Sequence, residues 1–511
     1  MNMDSKTWRS WVVGLGCLIL LVGIDRVEAA EQYVPSTVKP PAVAREFRGV
    51  WVASVKNIDW PSRPGLTTEQ QKAELLALLD RAKQLRLNAV LLQVRPSADA
   101  LYPSRIEPWS EYLTGQMGRA PSPFYDPLAL AVEEAHQRGL ELHAWFNPYR
   151  ARHAAAISTV SRDHISKTRP QLVKTYAKSL WLDPGEREIQ EHSLNVVLDV
   201  VRRYDIDGVH FDDYFYPYPE KDTKGAPLPF PDWSSWKRYH DGGGRLQRDD
   251  WRRENVNLFI LRVSQSVRAA KPWVRFGISP FGIWRPGFPA QIKGLDAHDA
   301  LYADSRKWLR EGWVDYLAPQ LYWGDDKPQT SFTALLGWWL NENPHQRHLW
   351  PGLDNSRVGR TRAPGEIVNQ VRLTRAQATT DGNLHWGLRA LTENRLGLAD
   401  TLSTTLYAQP ALTPTNPWVD HQPPPPPTLT AAISATGDLR IKILPAVGSE
   451  PVRFWLLQTR RNNTWTTETH SGGPGQRTLL VPNAPDTLAV TAVDRTGNLS
   501  PPVVLAKPWR K

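Results

Sequence analysis

Asp207-Gly208-Val209-His210-Phe211-Asp212-Asp213-Tyr214 reads as a short buried strand that ends on two adjacent acids. Short apolar or β-branched runs of this kind recur at 48–54, 89–95, 141–147, 275–280, 316–322, 349–353 and 385–391, with 208–213 fourth in order. Helical patterns alternate with them at 68–85, 128–138, 189–204, 255–270, 305–311, 333–341, 366–380 and 395–402. In the first of these, Leu75, Leu76, Leu79 and Ala82 recur at helical spacing behind Thr67 or Thr68 as cap. Strand–helix alternation argues for a parallel sheet, and eight units predict a closed (β/α)8 TIM barrel over 45–410, an α/β fold.

In such a barrel, functional residues gather where strands run out into loops. Five strand ends carry polar and aromatic side chains together: Gln93 and Arg95; His143, Trp145, Asn147 and Arg150; His210, Asp212, Asp213 and Tyr214; Ser279 and Trp284; Gln320, Tyr322 and Trp323. A purely structural barrel has no need of them there. Strand alternation puts His210 and Asp212 on one face, and if that face is inward both reach the mouth.

Cleavage of a glycosidic bond uses one carboxylate facing the anomeric carbon and one protonated acid at the leaving oxygen. Asp212 is the candidate for the first role. Asp213, at the start of the loop, is open to three readings: the acid, a partner that shifts the pKa of Asp212, or a loop cap. Asp99, Asp183, Asp354 and Glu393 also stand beyond strand ends as candidates for a second carboxylate. Arg95 and Arg150 suit a substrate carboxylate or the orientation of Asp212, with a structural ion pair as the alternative. Asp99, His143, Asn147, His210 and Gln320 suit polar recognition of a sugar, while Trp145, Tyr214, Tyr322 and Trp323 suit stacking or barrel-top packing. Asp212, Asp213, His143 and His210 lack the tight spacing of a zinc-enzyme motif, so no metal and no cofactor is expected.

The N-terminus has Lys6 and Arg9, an apolar run from Trp11 to Ile24 and the small-residue end Ala29-Ala30, the pattern of a secretory signal peptide over 1–29. The run is short for a membrane span. Cys17, the only cysteine, lies inside it, so a cleaved chain has no thiol chemistry and no disulfide. Lipidation at Gly16-Cys17 is the alternative, against which the apolar run simply continues past the cysteine. Export to a bacterial periplasm or cell surface is the expectation, with no membrane contact beyond the signal peptide unless Cys17 is lipidated. The formal net charge of +10 favours a polyanionic partner. No nucleic-acid motif is present, so a cell-wall glycan fits better than nucleic acid. The 23 Trp residues point the same way, because indole faces stack on sugar rings.

After an N-terminal extension (30–44) and the barrel, 411–427 reads as an extended, stiff linker with five consecutive prolines from Pro423. Beyond it, alternating runs at 439–444, 453–458, 478–481 and 488–493 predict a small β-sandwich over 428–508. Its stretch from Ala492 to Pro501 resembles the closing strand and turn of fibronectin type III modules.

Taken together, Glu46–Ala53, Gln93-Val94-Arg95-Pro96, Asp99-Ala100-Leu101-Tyr102, His143–Arg150, Leu182-Asp183-Pro184-Gly185, the Asp207–Tyr214 run, Ser279-Pro280-Phe281-Gly282 and Ala318–Tyr322 resemble the glycosyl hydrolase-like 10 family. The resemblance covers roughly residues 45 to 400. It implies a TIM barrel distantly related to the α-amylase clan and, after the family's characterised bacterial member, hydrolysis of peptidoglycan glycan strands lacking stem peptides. It places the nucleophile at Asp212, with His210 where the amylase pattern has arginine and no glutamate at the end of strand five. The chitinase-type pattern is disfavoured, since His210 and Tyr214 replace its second Asp and its Glu. A non-catalytic glycan-binding scaffold and a metal-dependent polysaccharide deacetylase are the competing readings.

Overall fold

A computed structural model of the chain describes residues 31–508. The signal-peptide and Cys17 readings therefore lie outside the described residues. Eight parallel strand positions form the barrel: β1 (Phe47–Val52), β2 (Ala89–Arg95), β3 (Glu141–Phe146), β4 (Gly208–Phe211), β5 (Arg275–Ile278), β6 (Tyr316–Leu317), β7 in two pieces (His348–Leu349 and Gly352–Asp354) and β8 (Gly382–Trp386). Each pairs in parallel with the next, and Gly382 opposite Phe47 joins β8 back to β1. The first piece of β7 pairs with β6 and the second with β8, so the break at Trp350-Pro351 does not open the ring.

The alternating helices are α1 (Thr68–Gln84), α2 (Pro127–Gln137), α3 (Arg187–Arg203), α4 (Arg248–Ala270), α5 (Ser305–Arg310), α6 (Phe332–Asn341), α7 (Pro364–Arg375) and α8 (Leu398–Thr404). Thr67 caps α1 in a reciprocal box with Gln70, which satisfies two otherwise orphaned backbone donors. Buried Leu75, Leu79 and Ala82 of α1 join Val90 and Leu92 of β2 in one core.

Three strand expectations give way to local chemistry. Regular pairing in β6 stops at Leu317 rather than running to residue 322, because Pro319 has no N–H for the ladder; Gln320 alone bridges to the neighbouring chains. Pro351 splits β7 for the same reason. The run 385–391 is not one strand: β8 ends at Trp386, and Leu388–Thr392 is helical. Gly387 between them takes φ +83°, which ends the extended chain, and a Cβ there would meet the Ser356 backbone nitrogen at 2.7 Å. At the helices, α4 begins earlier and α7 ends earlier than their apolar patterns implied.

The C-terminal strands are β9 (Thr428–Ile433), β10 (Leu439–Leu444), β11 (Val452–Arg461), β12 (Thr464–Gly473), β13 (Arg477–Val481), β14 (Thr487–Val493) and β15 (Val503–Ala506). One antiparallel sheet has the order β9-β10-β13; the other runs β15-β14-β11-β12, with Val34–Pro35 added beyond β15. Leu439, Ile441 and Ile443 face Trp455, Leu457 and Leu488 in a shared core, while Arg440 and Lys442 point to water.

The start of the proline-rich stretch is bound to the barrel. Ala411–Leu412 pairs with Ala44–Arg45, Arg275 donates to the Pro414 carbonyl at 2.7 Å, and the Trp418 indole donates to Asp315 at 2.7 Å. The sandwich meets the same N-terminal end of the strands. Arg453 pairs with Asp207 at 2.7 Å, and both side chains are nearly buried.

Candidate active site

At the opposite end of the barrel, β4 stops at Phe211, and the two acids beyond it line one cavity of about 360 Å³. Among the described residues they are the only carboxylates that do so. Asp212 arrives there by strand phase. Asp213 arrives because the strand has already ended, so the loop turns it back toward the mouth.

Asp212 is surrounded by donors. The Asn147 amide donates to both of its oxygens at 3.1 and 3.2 Å, the Trp145 indole at 3.1 Å, and the Tyr214 backbone N–H at 3.3 Å. Asn147 is itself fixed, since its oxygen accepts the Arg150 backbone N–H at 2.8 Å. Burial pushes the Asp212 carboxyl up to about 6; Arg150 pulls it down and the neighbouring charge of Asp213 pushes it further up. Asp213 accepts a hydrogen bond from the Tyr218 hydroxyl, and burial raises its pKa as well, against that bond and one from Gln320.

Aromatic rings wall the cavity. Trp386 of β8 meets Trp51 of β1 and Trp145 of β3 edge-on, each at 6.3 Å, and Tyr214, Tyr218 and Tyr322 complete the apolar surface. Arg150 lies over the Tyr214 ring at 4.3 Å. Gln320 anchors its amide on the Ser279 carbonyl at 3.1 Å.

His210 lies below this wall, fully buried. Its Nε2 accepts the Trp51 indole N–H at 3.0 Å, so the ring proton sits on Nδ1, 3.0 Å from the Tyr316 hydroxyl. Burial and the nearby His143 hold its pKa well below the usual value, which keeps the ring neutral. His143 shares the same Tyr316 hydroxyl at 2.9 Å and reaches Glu141 at 3.3 Å. Both histidines thus brace the barrel interior instead of lining the cavity, in correction of their expected contact with a sugar.

Four other expectations change. Arg95 is sealed in an ion pair with Glu107, 2.8 Å from its Nε, and His192 shares the other oxygen of that carboxylate with the Arg95 Nη2, at 2.8 Å from His192. It does not reach the cavity, because its charge is already spent. Asp99 is fully buried, with one oxygen on the Ser97 N–H at 2.8 Å, and burial raises its pKa to about 7. Asn147 touches Asp212 without lining the cavity, and Trp323 packs edge-on against Phe281 at 5.6 Å. Of the remaining acids, Asp183 accepts the Ser235 hydroxyl at 2.7 Å, Asp354 caps a turn and pairs with Arg357, and Glu393 pairs with Arg395. None of them lines the cavity.

Several lining residues escaped the sequence reading: Trp51, Val55, Lys56, Ile58, His153, Tyr218 and Trp386. Trp51, next to last in β1, and Trp386, last in β8, meet only when the barrel closes. Tyr218 belongs to the aromatic run Tyr214-Phe215-Tyr216-Pro217-Tyr218, a signal that was legible. Lys56 follows β1 in a left-handed conformation, φ +56°, uncommon for a side chain with a Cβ.

A closed barrel with paired carboxyls and aromatic walls at the C-terminal strand ends defines a glycoside hydrolase. The chain belongs to the glycosyl hydrolase-like 10 family, whose model matches residues 46–366. It is 40% identical to glycosyl hydrolase YngK of Bacillus subtilis over 486 residues, 89% of this chain and 92% of that protein. It is 36% identical to glycosyl hydrolase DigH of Escherichia coli over 351 residues, 64% of this chain and 77% of that one. Among solved structures, the PgaB (BpsB) glycoside hydrolase domain of Bordetella bronchiseptica aligns with a TM-score of 0.43 at 14% identity, covering 70% of this chain and 99% of that domain.

Proposed function

We propose that the protein is exported and hydrolyses peptidoglycan glycan strands that lack stem peptides. The observation that carries the chemistry is the pairing of Asp212 and Asp213 as the only cavity-lining carboxyls among the described residues, both with pKa raised by burial. Adjacent buried carboxyls resist double ionisation, so the pair holds a proton to higher pH than free carboxyls would. The donors from Trp145, Asn147 and Tyr214 favour the anion at Asp212, which faces the anomeric carbon. Asp213, under the Tyr218 hydroxyl, gives its proton to the leaving oxygen, and water completes the hydrolysis. Arg150, Gln320 and the aromatic wall hold the sugars.

The choice of glycan rests on the family resemblance and on the net charge of +10, which suits an anionic wall polymer. Export rests on the N-terminal signal pattern, and the sandwich is read as fibronectin type III-like, a spacing or docking module. Purified protein incubated with stripped glycan strands should generate new reducing ends and shorter products. Intact strand length after prolonged incubation contradicts the proposal.

A further inference from the structure

We propose that Arg150, Lys56 and His153 form an acidic-sugar subsite beside the paired acids, which binds the free lactyl carboxylate of an N-acetylmuramic acid residue. On the hydrolase assignment above, this subsite supplies the reason for acting on strands without stem peptides.

The first observation is an unpaired buried cation. Arg150 is 5% exposed and lines the cavity. Its guanidinium makes one long hydrogen bond, 3.5 Å to the Pro96 carbonyl, and otherwise lies over the Tyr214 and Trp181 rings at 4.3 and 5.8 Å. No carboxylate among the described residues comes within ion-pair distance of it. The equally buried Arg95 and Arg275 behave differently, since each is clamped by a glutamate: Arg95 by Glu107 at 2.8 Å and Arg275 by Glu141 at 2.6 Å. A guanidinium that lines a cavity and has so few protein partners keeps donors open there for an anion. Asp212 and Asp213 feel its charge without touching it, which leaves its planar fork free for a bidentate anion.

The second observation is that two further groups converge on the same place. Lys56 is exposed, has no ion pair or hydrogen bond among the described residues, and lines the cavity from the left-handed turn after β1. His153 also lines it. Its Nδ1 accepts the Ala155 backbone N–H at 2.9 Å, so Nε2 carries the ring proton and is a donor. Burial, Arg150 and Lys56 together hold His153 down to about 4, the response of a titratable group set between two cations. Two full positive charges and a neutral N–H on one side of the cavity exceed what a hydroxyl or acetamido group needs, and suit a carboxylate.

A muramic residue supplies that carboxylate only when its lactyl group is free. An attached stem peptide turns the same carbon into an uncharged amide with a chain behind it. The subsite therefore discriminates by charge as well as by bulk.

The test compares stripped glycan strands with the same strands after carbodiimide coupling of the lactyl acids to methylamine. The wild-type protein should prefer the free acid by at least about tenfold in kcat/KM, the scale of one charge-assisted contact. The preference should fall toward unity in Lys56→Gln and in Arg150→Gln, and should weaken with added salt in the wild type. Equal cleavage of both strands overturns the subsite while leaving the hydrolase reading intact. If neither strand is cleaved, the hydrolase reading fails, and the subsite is judged by titrating the Asp212→Asn protein with a muramic-acid disaccharide and its methylamide. Binding of the free acid alone supports it; equal or absent binding overturns it.

Discussion

Asn147 spans both oxygens of Asp212, at 3.1 and 3.2 Å, while its own carbonyl is held by the Arg150 backbone N–H at 2.8 Å. The end of β3 thereby sets the orientation of the acid at the end of β4. Asn147→Ala should cut kcat by roughly 10- to 100-fold with a smaller change in KM, since the donor acts on the carboxylate and not on the sugar. It should also move the acidic limb of the pH–rate profile upward, because a donor that favours the anion is lost. An unchanged limb contradicts this role.

The pKa of Asp212 makes its own prediction. Burial raises that carboxyl to about 6. A raised acid binds its proton more tightly in the folded state than in the unfolded one, so stability falls as pH climbs from about 4 toward 6. Above that window the penalty is fully present, on the order of 3 kcal/mol for a group this buried. Asp212→Asn should therefore melt at a higher temperature than the wild type at pH 7, and the gain should shrink near pH 4. Calorimetry across that range checks both arms.

Tyr218→Phe removes the hydroxyl that donates to Asp213. The raised pKa of Asp213 should rise further, moving the basic limb of the pH profile upward, with kcat reduced roughly tenfold. The ring is retained, so binding of a non-hydrolysed oligosaccharide should change little.

At the other end of the barrel, Arg453 of the sandwich pairs with Asp207 at 2.7 Å. Despite burial, Arg453 and His136 hold this acid well below the usual carboxylate range. Arg453→Ala leaves a buried anion short of its cation and should destabilise the protein by about 3 kcal/mol. Turnover of the folded fraction should be unchanged, since the pair lies at the N-terminal end of the strands. Thermal unfolding and specific activity at low temperature separate the two effects.

How much of this was legible in the sequence follows from range of interaction. β2 was read to the residue, and α1 to within one, because strand and cap signals are local. Breaks in β6, β7 and β8 come from Pro319, Pro351 and the positive φ of Gly387, punctuation that an apolar run masks. Arg95 and Arg150 both stand at strand ends and look alike in sequence. What separates them is Glu107, twelve residues beyond Arg95 in a loop, whose pairing only the folded chain reveals. The Trp51–Trp386 contact is hidden for a like reason, since it joins the first and last strands. The Asp212-Asp213 pair was legible because one strand end carries both.

The central claim is that Asp212 and Asp213 carry the hydrolysis, and the most direct measurement is reducing-end release from stripped glycan strands by wild type, Asp212→Asn and Asp213→Asn. Each variant should fold, keep its affinity for the glycan within a few-fold, and lose at least about 10³ in kcat. A folded Asp212→Asn protein that cleaves at the wild-type rate would contradict the account.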